Sequence, residues 1–220
     1  MKNLVLKYLS EIKELEKTTG KVILKRVENE KNDINLISKI SEVKFGTLLL
    51  KEFRDFLKYE PNISDKTPDW LINTKEENII LEVLKINTSN EQFQKKINNY
   101  KNKIQSAQSG VTITNGIFKD YSKILKKEKR YRELIEEEKY KLIICIDATS
   151  FDKLIDVNDI KAFFDFNNRY SEIFKYPEFI KNITGLIIIP YMGDTEFIEN
   201  KYVENRISKN NKNKIIKSLI

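Results

Sequence analysis

Apolar residues recur along the chain at two spacings, which predict a mixture of helices and strands. Helical spacing predicts helices at about 3–17 (ended by Gly20), 33–40, 45–59, 90–108, 118–139, 158–168 and 170–181. Short apolar runs predict strands at 69–73, 79–86, 141–148 and 183–190, and a mixed basic and apolar run predicts an edge strand at 21–27. Apolar strands separated by helices are typical of a sheet covered on both faces.

These elements predict an α/β protein in three parts. Residues 1–44 form an N-terminal helical extension, residues 45–198 the α/β core, and residues 199–220 a basic C-terminal tail that frays. A chain of 220 residues fits one domain with such an extension. There is no run of about 18 apolar residues, so no membrane span is expected. The Lys- and Glu-rich helix at 118–139 is interpreted as a solvated face or an insertion.

The composition excludes several classes of enzyme. The chain has no histidine, which excludes Ser-His-Asp and Cys-His hydrolases, histidine-based zinc sites and histidine general bases. The single cysteine, Cys145, lies in an apolar run and has no partner for an internal disulfide. This usage predicts a reducing, cytoplasmic location.

The net charge of +7 is compatible with a polyanionic partner. It is equally compatible with a general over-use of lysine, asparagine and isoleucine, because arginine, the preferred residue for phosphate contacts, is scarce. Charge alone therefore does not decide whether the chain binds nucleic acid.

Two acidic residues are the candidates for chemistry. Asp69 follows Pro68 at the start of a predicted strand, and Glu82 interrupts the apolar run 79–84 of the next. A buried carboxylate is costly unless it is paired, so the two acids are predicted to converge and hold a divalent cation. Glu52, beside the apolar face of the preceding helix, is the predicted third ligand. Each acid also has an alternative, purely structural interpretation. Asp69 would cap a turn, and Glu82 would face solvent from an edge strand.

The predicted elements follow a set order: a helix with Glu52, a strand with Pro68-Asp69, a strand with Glu82, and then a further helix and strands. This order resembles the PD-(D/E)xK nuclease superfamily. The resemblance implies a restriction-endonuclease-like fold, with a central mixed sheet flanked by helices. It also implies Mg²⁺ or Mn²⁺ as cofactor, held by Glu52, Asp69 and Glu82, and catalysis by Asp69 and Glu82 with a lysine.

The chain departs from this pattern at the lysine. Leu84 occupies the position two residues after the second acid, and Lys85 is expected on the opposite face of the strand unless a bulge turns it. Three alternatives remain open: Lys85 is turned inward, a lysine comes from the following helix, or the site is inactive. That helix carries a polar stripe that includes Gln94, Asn98, Lys101 and Gln105, and the alternative interpretation of this stripe is an ordinary solvent face. If the resemblance holds, Gln94, Lys95, Lys101 and Gln105 are the predicted substrate contacts, with Lys95 or Lys101 as the candidate lysine. Asp147, at the end of a strand, is a weaker candidate for the site.

The first predicted function is therefore a metal-dependent endonuclease acting on DNA, with a homodimer as a possible form. The alternative is a catalytically impaired nuclease-like fold that serves as a nucleic-acid-binding or protein-interaction module. A glycosidase is less consistent with the sequence, because the chain has a single tryptophan and few aromatic platforms.

Overall fold

In the computed structural model of the chain, residues 17–85, 113–149, 181–190 and 193–220 are described. Within these ranges, six strands form one open sheet in chain order. They are β1 (Leu57–Tyr59), β2 (Trp70–Asn73), β3 (Asn78–Lys85), β4 (Lys141–Asp147), β5 (Gly185–Ile189) and β6 (Glu196–Glu199). Strands β1, β2 and β3 form an antiparallel meander, β3, β4 and β5 are parallel, and β6 returns antiparallel.

Helices cover both faces of this sheet. They are α1 (Lys17–Asn29), α2 (Asp33–Phe53), α3 (Ile113–Glu136) and α4 (Lys209–Leu219). One core joins α1, α2 and α4 to the face of β3 that carries Leu81 and Val83. The other joins α3 to the face that carries Ile80 and Leu84. The predicted mixed α/β class, with a central sheet flanked by helices, is confirmed.

Alternation along β3 explains why two different cores form. Neighbouring side chains of a strand point to opposite faces of the sheet. Strand β3 lies between β2 and β4, and its two faces are covered by α2 on one side and α3 on the other, so its residues 79–84 are all buried. A continuous apolar run of this kind is what a central strand requires, and Glu82 is its one charged member.

The edge strand predicted at 21–27 is wrong. Helix α1 runs through Gly20 and includes 21–27, which had been predicted as an edge strand. Ile23 and Val27 are spaced four residues apart and are both buried in the α2 side of the core. The basic residues between them are exposed, so the run is one face of a helix and not an alternating strand.

The two predicted helices at 33–40 and 45–59 are one helix, α2, which ends at Phe53. Residues 57–59 instead form β1, after a turn in which the Phe56 amide donates to the Phe53 carbonyl at 2.9 Å. Ser41 and Glu42, which lie between the two predicted helices, are buried and hydrogen-bonded within the fold. The predicted boundary after residue 44 falls inside this continuous helix.

The C-terminal tail does not fray as predicted, because residues 209–219 form α4 and pack on the core. Ser208 caps this helix, and its amide donates to the Glu77 carboxylate at 3.0 Å. Ile215 is fully buried. Strand β6, at 196–199, was also missed, since its residues are all partly exposed and lack a long apolar run.

The remaining predicted elements fall into two groups. The strands at 69–73, 79–86, 141–148 and 183–190 and the helix at 118–139 are confirmed, with boundaries shifted by a few residues. The predicted helices at 90–108, 158–168 and 170–180 and residues 3–16 of the first helix lie outside the described residues. In the part of the chain that is described, no helix is long and apolar enough to cross a membrane.

Candidate functional site

Asp69 and Glu82, the two acids singled out from the sequence, lie side by side. Trp70 pairs with Leu81 in the antiparallel register of β2 and β3, so the residues one step further along, Asp69 and Glu82, are neighbours. The Val83 amide donates to Asp69 Oδ2 at 2.7 Å. Glu82 lies on the β3 face that packs against α3 and is 1% exposed, whereas the Asp69 side chain is 20% exposed.

Helix α3 supplies the partners of the Glu82 carboxylate. Lys127 and Tyr131 are four residues apart and therefore lie on the same face of the helix. The Lys127 ammonium pairs with Glu82 Oε2, and it lies 3.8 Å from Asp69 Oδ2. The Tyr131 hydroxyl donates to Glu82 Oε1. These four residues, Asp69, Glu82, Lys127 and Tyr131, are called the Glu82 cluster below.

The Glu82 cluster carries more negative than positive charge. Burial raises the pKa of the Glu82 carboxyl, and the charge on Asp69 raises it further, against the opposing effect of Lys127 and Tyr131. Burial alone would lower the pKa of the Lys127 ammonium, but Glu82, Asp69 and, less strongly, Glu42 raise it above its usual value. Burial and the Glu82 charge also raise the pKa of Tyr131. Within the described ranges, one lysine thus compensates two neighbouring carboxylates.

A third carboxylate, Glu42 on α2, acts on the same site from the other side of Asp69. Its Oε2 accepts hydrogen bonds from Lys39 Nζ at 2.8 Å and from the Tyr59 hydroxyl at 3.0 Å. Burial raises the pKa of Glu42, and the charge on Asp69 is the next cause. The Trp70 indole, next to Asp69, donates to the Glu42 carbonyl at 2.9 Å, so α2 and β2 are joined at this point.

Close packing fixes the indole of Trp70. A Cβ atom at Gly46 would overlap the six-membered ring of Trp70, so only glycine leaves room for the ring against α2. The Trp70 and Tyr59 rings also pack against each other with centroids 4.8 Å apart. The start of β2, which carries Asp69, is therefore held rigidly against the helix.

A second charged cluster lies on the opposite face of the sheet, where β3 and β4 end. Asp147 accepts from Ser41 Oγ at 2.7 Å and from the amide and hydroxyl of Thr149 at 3.0 and 2.6 Å, and it pairs with Lys85 Nζ at 3.0 Å. Burial alone would raise the pKa of Asp147, but Lys85, Lys44 and the hydroxyl donors lower it. The residues Asp147, Lys85, Ser41 and Thr149 are called the Asp147 cluster.

The structure places the other predicted site residues apart from Asp69 and Glu82, or does not describe them. Glu52 pairs with Lys217 of α4 at 2.9 Å, and Lys85 belongs to the Asp147 cluster. Lys85 is thus not turned towards Glu82 by a bulge, as one alternative required. The predicted substrate contacts Gln94, Lys95, Lys101 and Gln105 lie outside the described residues. The roles assigned to all of these residues stay predictions.

Sequence reasoning missed Lys127, Tyr131 and Glu42. Helix 118–139 was interpreted as a solvated face, yet Ile124, Tyr131 and Leu134 pack in the core, and Lys127 is within the same stripe at spacings of three and four. Continuing that stripe through the charged positions would have shown Lys127 facing the sheet. Nothing local distinguishes Glu42 from the other acids, because its position depends on how α2 packs.

The site offers few ligands to a metal ion. Within the described ranges, no group of three or more acidic or cysteine side chains is placed to hold one. The carboxylates of Asp69 and Glu82 remain as a pair, and Mg²⁺ is commonly held by one or two carboxylates with water completing its shell. The donor set therefore fits a hard divalent cation, with Asp69 and Glu82 as the protein ligands.

Comparison with known protein families gives a match to part of the chain. Residues 80–142 match the family model of DASH complex subunit Duo1. The matched segment is less than half of the chain. It contains Glu82, Lys127 and Tyr131 but not Asp69, so it is a similarity of one segment. No curated protein and no solved structure matches the chain.

This match contradicts the family and function predicted from the sequence. It points to a subunit of a protein complex and not to a PD-(D/E)xK nuclease. The predicted endonuclease activity, its nuclease-like binding alternative and the descriptions as hydrolase and DNA-binding protein are corrected accordingly. The predicted partners are also corrected: the match indicates protein partners in place of DNA or a second copy of the chain. The short acid motif that suggested the family recurs by chance in acid-rich chains.

Proposed function

We propose that the Glu82 cluster is a binding site for a divalent cation, Mg²⁺ or Mn²⁺, with Asp69 and Glu82 as its ligands. The observation that carries this proposal is the charge imbalance of the cluster. Among the residues that the structure describes, two adjacent carboxylates, one of them almost fully buried, share a single ammonium group. A bound divalent cation would neutralise both carboxylates and polarise any oxygen that it coordinates.

The burial of Glu82 makes a purely structural role less favourable. A buried ion pair rarely stabilises a protein more than well-packed apolar residues of the same volume would. The same position on β3 is flanked by Ile80 and Leu84, which pack against α3 without any such cost. An acid kept among them beside a second acid, Asp69, is consistent with a ligand-binding role.

Calorimetric titration of the metal-free chain with Mn²⁺ tests this site. We expect binding by the parent protein and at least about tenfold weaker binding, about 1.4 kcal/mol, by Asp69→Asn and by Glu82→Gln. Glu52→Gln is the matched control, because Glu52 pairs with Lys217 away from the cluster. It should bind like the parent. Equal binding by the parent, Asp69→Asn and Glu82→Gln would contradict the proposal, and weaker binding by Glu52→Gln would restore Glu52 as a ligand.

Tryptophan fluorescence is a second measurement of the same Mn²⁺ titration. Trp70 is the single tryptophan of the chain, is fully buried and directly follows Asp69. Cation binding at Asp69 should therefore change its fluorescence, and Asp69→Asn should abolish the change. A binding heat without any change at Trp70 would place the cation elsewhere in the chain.

A second candidate function is assembly with partner proteins through residues 80–142, which is supported by the match to DASH complex subunit Duo1. Within this segment, the described part of α3 presents exposed basic residues such as Lys126 and Lys129 on the side away from the sheet. Such a charged helix face suits association with an acidic surface of another protein.

Sedimentation velocity with the other purified subunits of a DASH complex tests assembly. We expect co-sedimentation that weakens when Lys126 and Lys129 are both changed to glutamate. The matched control changes Lys75 and Lys209 to glutamate, which alters the charge equally at exposed positions outside the matched segment. Independent sedimentation of the parent chain at micromolar concentration would contradict this candidate function.

We further propose that the arrangement of elements is restriction-endonuclease-like. Support comes from the order of α2, the meander β1–β3, α3, and β4 parallel to β3. This is a proposal about fold alone, since a fold does not fix an activity. NMR contacts between β3 and β4 test it: antiparallel pairing of Val83 with Cys145 would contradict the proposal. A cytoplasmic location also stays a proposal, supported by the free, buried Cys145.

A further inference from the structure

Lys127 occupies the position between the two carboxylates that a bound cation would need. Its ammonium pairs with Glu82 Oε2 and lies 3.8 Å from Asp69 Oδ2. The other oxygen of Glu82, Oε1, accepts the hydrogen bond of Tyr131. Both oxygens of Glu82 are therefore engaged by donors from α3, and a cation that ligates Glu82 must displace one of them.

Lys127 is the donor that a cation would displace. Two positive charges a few ångströms apart repel each other strongly in a partly buried site, whereas the neutral Tyr131 hydroxyl is not repelled. The Lys127 side chain is 24% exposed, so its flexible stem can carry the ammonium towards solvent.

The helix itself has no need to move during such a displacement. Arg130 Nη2 donates to the Thr67 carbonyl at 3.2 Å, and Glu133 pairs with Lys66 at 3.0 Å. These contacts join α3 to the loop that precedes Asp69 independently of Lys127. The buried residues Ile124 and Leu134 hold the same helix against the sheet.

We propose that Lys127 is a tethered counter-ion that neutralises the acid pair when no divalent cation is bound and gives up Glu82 when one binds. Binding is then an exchange of one cation for another, and Lys127 sets its affinity. This inference rests on the cation site proposed above. It assigns to Lys127 a role in regulating occupancy of the site, and it makes the affinity of the parent protein lower than the two carboxylates alone would give.

The test compares Mn²⁺ affinities of the parent, Lys127→Met, Lys127→Arg and Lys126→Met by calorimetry. Removing the competing charge in Lys127→Met should tighten binding about tenfold or more. Lys127→Arg keeps the charge and should bind about as the parent does. Lys126→Met is the matched control, because Lys126 is exposed on the same helix, and it should also bind like the parent.

The outcomes distinguish the counter-ion role of Lys127 from the cation site itself. Binding by the parent that is equal to or tighter than binding by Lys127→Met would overturn the counter-ion role and leave the cation site standing. No binding by the parent or by Lys127→Met would overturn both. If Lys127→Met is unfolded without a cation, its recovery of native Trp70 fluorescence in Mn²⁺ supports the exchange. Failure to recover in Mn²⁺ overturns it.

Discussion

The two charged clusters on opposite faces of the sheet differ in how completely their carboxylates are compensated. Asp147 receives four donor contacts, from Ser41, Lys85 and both groups of Thr149. From the part of the chain that the structure describes, Glu82 receives two, from Lys127 and Tyr131, and it has Asp69 as a like-charged neighbour. The surroundings lower the pKa of Asp147 and raise the pKa of Glu82.

This difference supports a structural role for the Asp147 cluster and the ligand-binding role that we propose for the Glu82 cluster. The Asp147 cluster fixes α2 to the ends of β3 and β4, and its carboxylate already has the partners that it needs. The Glu82 cluster is the one with a deficit of positive charge, which an added cation would remove. Burial is similar in the two clusters, so the number and sign of the neighbours make the distinction.

The largest expected effect is the loss of the Asp147 charge. Asp147→Asn leaves Lys85 and the nearby Lys44 without their buried counter-charge, which should cost about 3–5 kcal/mol of unfolding free energy. Urea denaturation monitored at Trp70 measures this cost. A loss below about 1 kcal/mol would show that the two lysines reach solvent and that the cluster contributes little to stability.

Acid should reproduce the same loss in the parent protein. The folded pKa of Asp147 lies below its unfolded value, near 3.8. Its contribution is therefore complete above that value and disappears as the pH falls through the folded pKa. Urea titrations between pH 6 and pH 2 should show the difference between the parent and Asp147→Asn shrinking towards zero. A difference that stays constant with pH would assign the effect to packing instead of charge.

Removing one hydroxyl donor from each cluster should lower the unfolding free energy by less than Asp147→Asn does. The loss should differ between the two clusters. Tyr131→Phe takes away one of two donors to Glu82 and should cost about 1.5–3 kcal/mol, as for a hydrogen bond to a charged group. Ser41→Ala takes away one of four donors to Asp147 and should cost about 0.5–1.5 kcal/mol. The same urea assay measures both variants, and the reverse order would contradict the difference in compensation.

The smallest expected effect on stability is that of Glu82→Gln. The glutamine carbonyl oxygen can accept from Lys127 and its amide group can donate to the Tyr131 hydroxyl oxygen, while the repulsion by Asp69 disappears. The unfolding free energy should therefore change by less than about 1 kcal/mol. Glu82→Gln should thus lose much less stability than Asp147→Asn. A loss for Glu82→Gln as large as that for Asp147→Asn would make Glu82 a structural residue like Asp147.

The sequence predicted those parts of the fold that depend on local pattern. Strands β2 to β5 are apolar runs bounded by polar residues, and the helix around 118–139 follows its own spacing, so their existence could be predicted from neighbours along the chain. Part of helix α1 was predicted to be a strand because the run of basic and apolar residues around Ile23 is too short to distinguish the period of a helix from that of a strand. The family prediction failed because it rested on two acids at a common spacing.

The candidate site was predictable in half of its members. An acid in the middle of an apolar strand marked Glu82, and the hairpin register placed Asp69 beside it. The partner lysine was expected on β3 or on a helix at 90–108, whereas Lys127 comes from α3 and Lys85 serves Asp147. Glu52 was predicted to be the third acid of the site. The third carboxylate that interacts with Asp69 is instead Glu42, which lies ten positions earlier on the same helix.

The amino-acid sequence by itself determined that a carboxylate would be buried within β3 and that it would require a partner. This follows from the two-residue period of a strand and from the cost of an unpaired charge, both of which act between neighbours. Only the tertiary structure decided that the partner is Lys127, 45 residues further along the chain. The docking of α3 on the sheet brings these groups together, and that docking depends on the packing of many side chains distant in sequence.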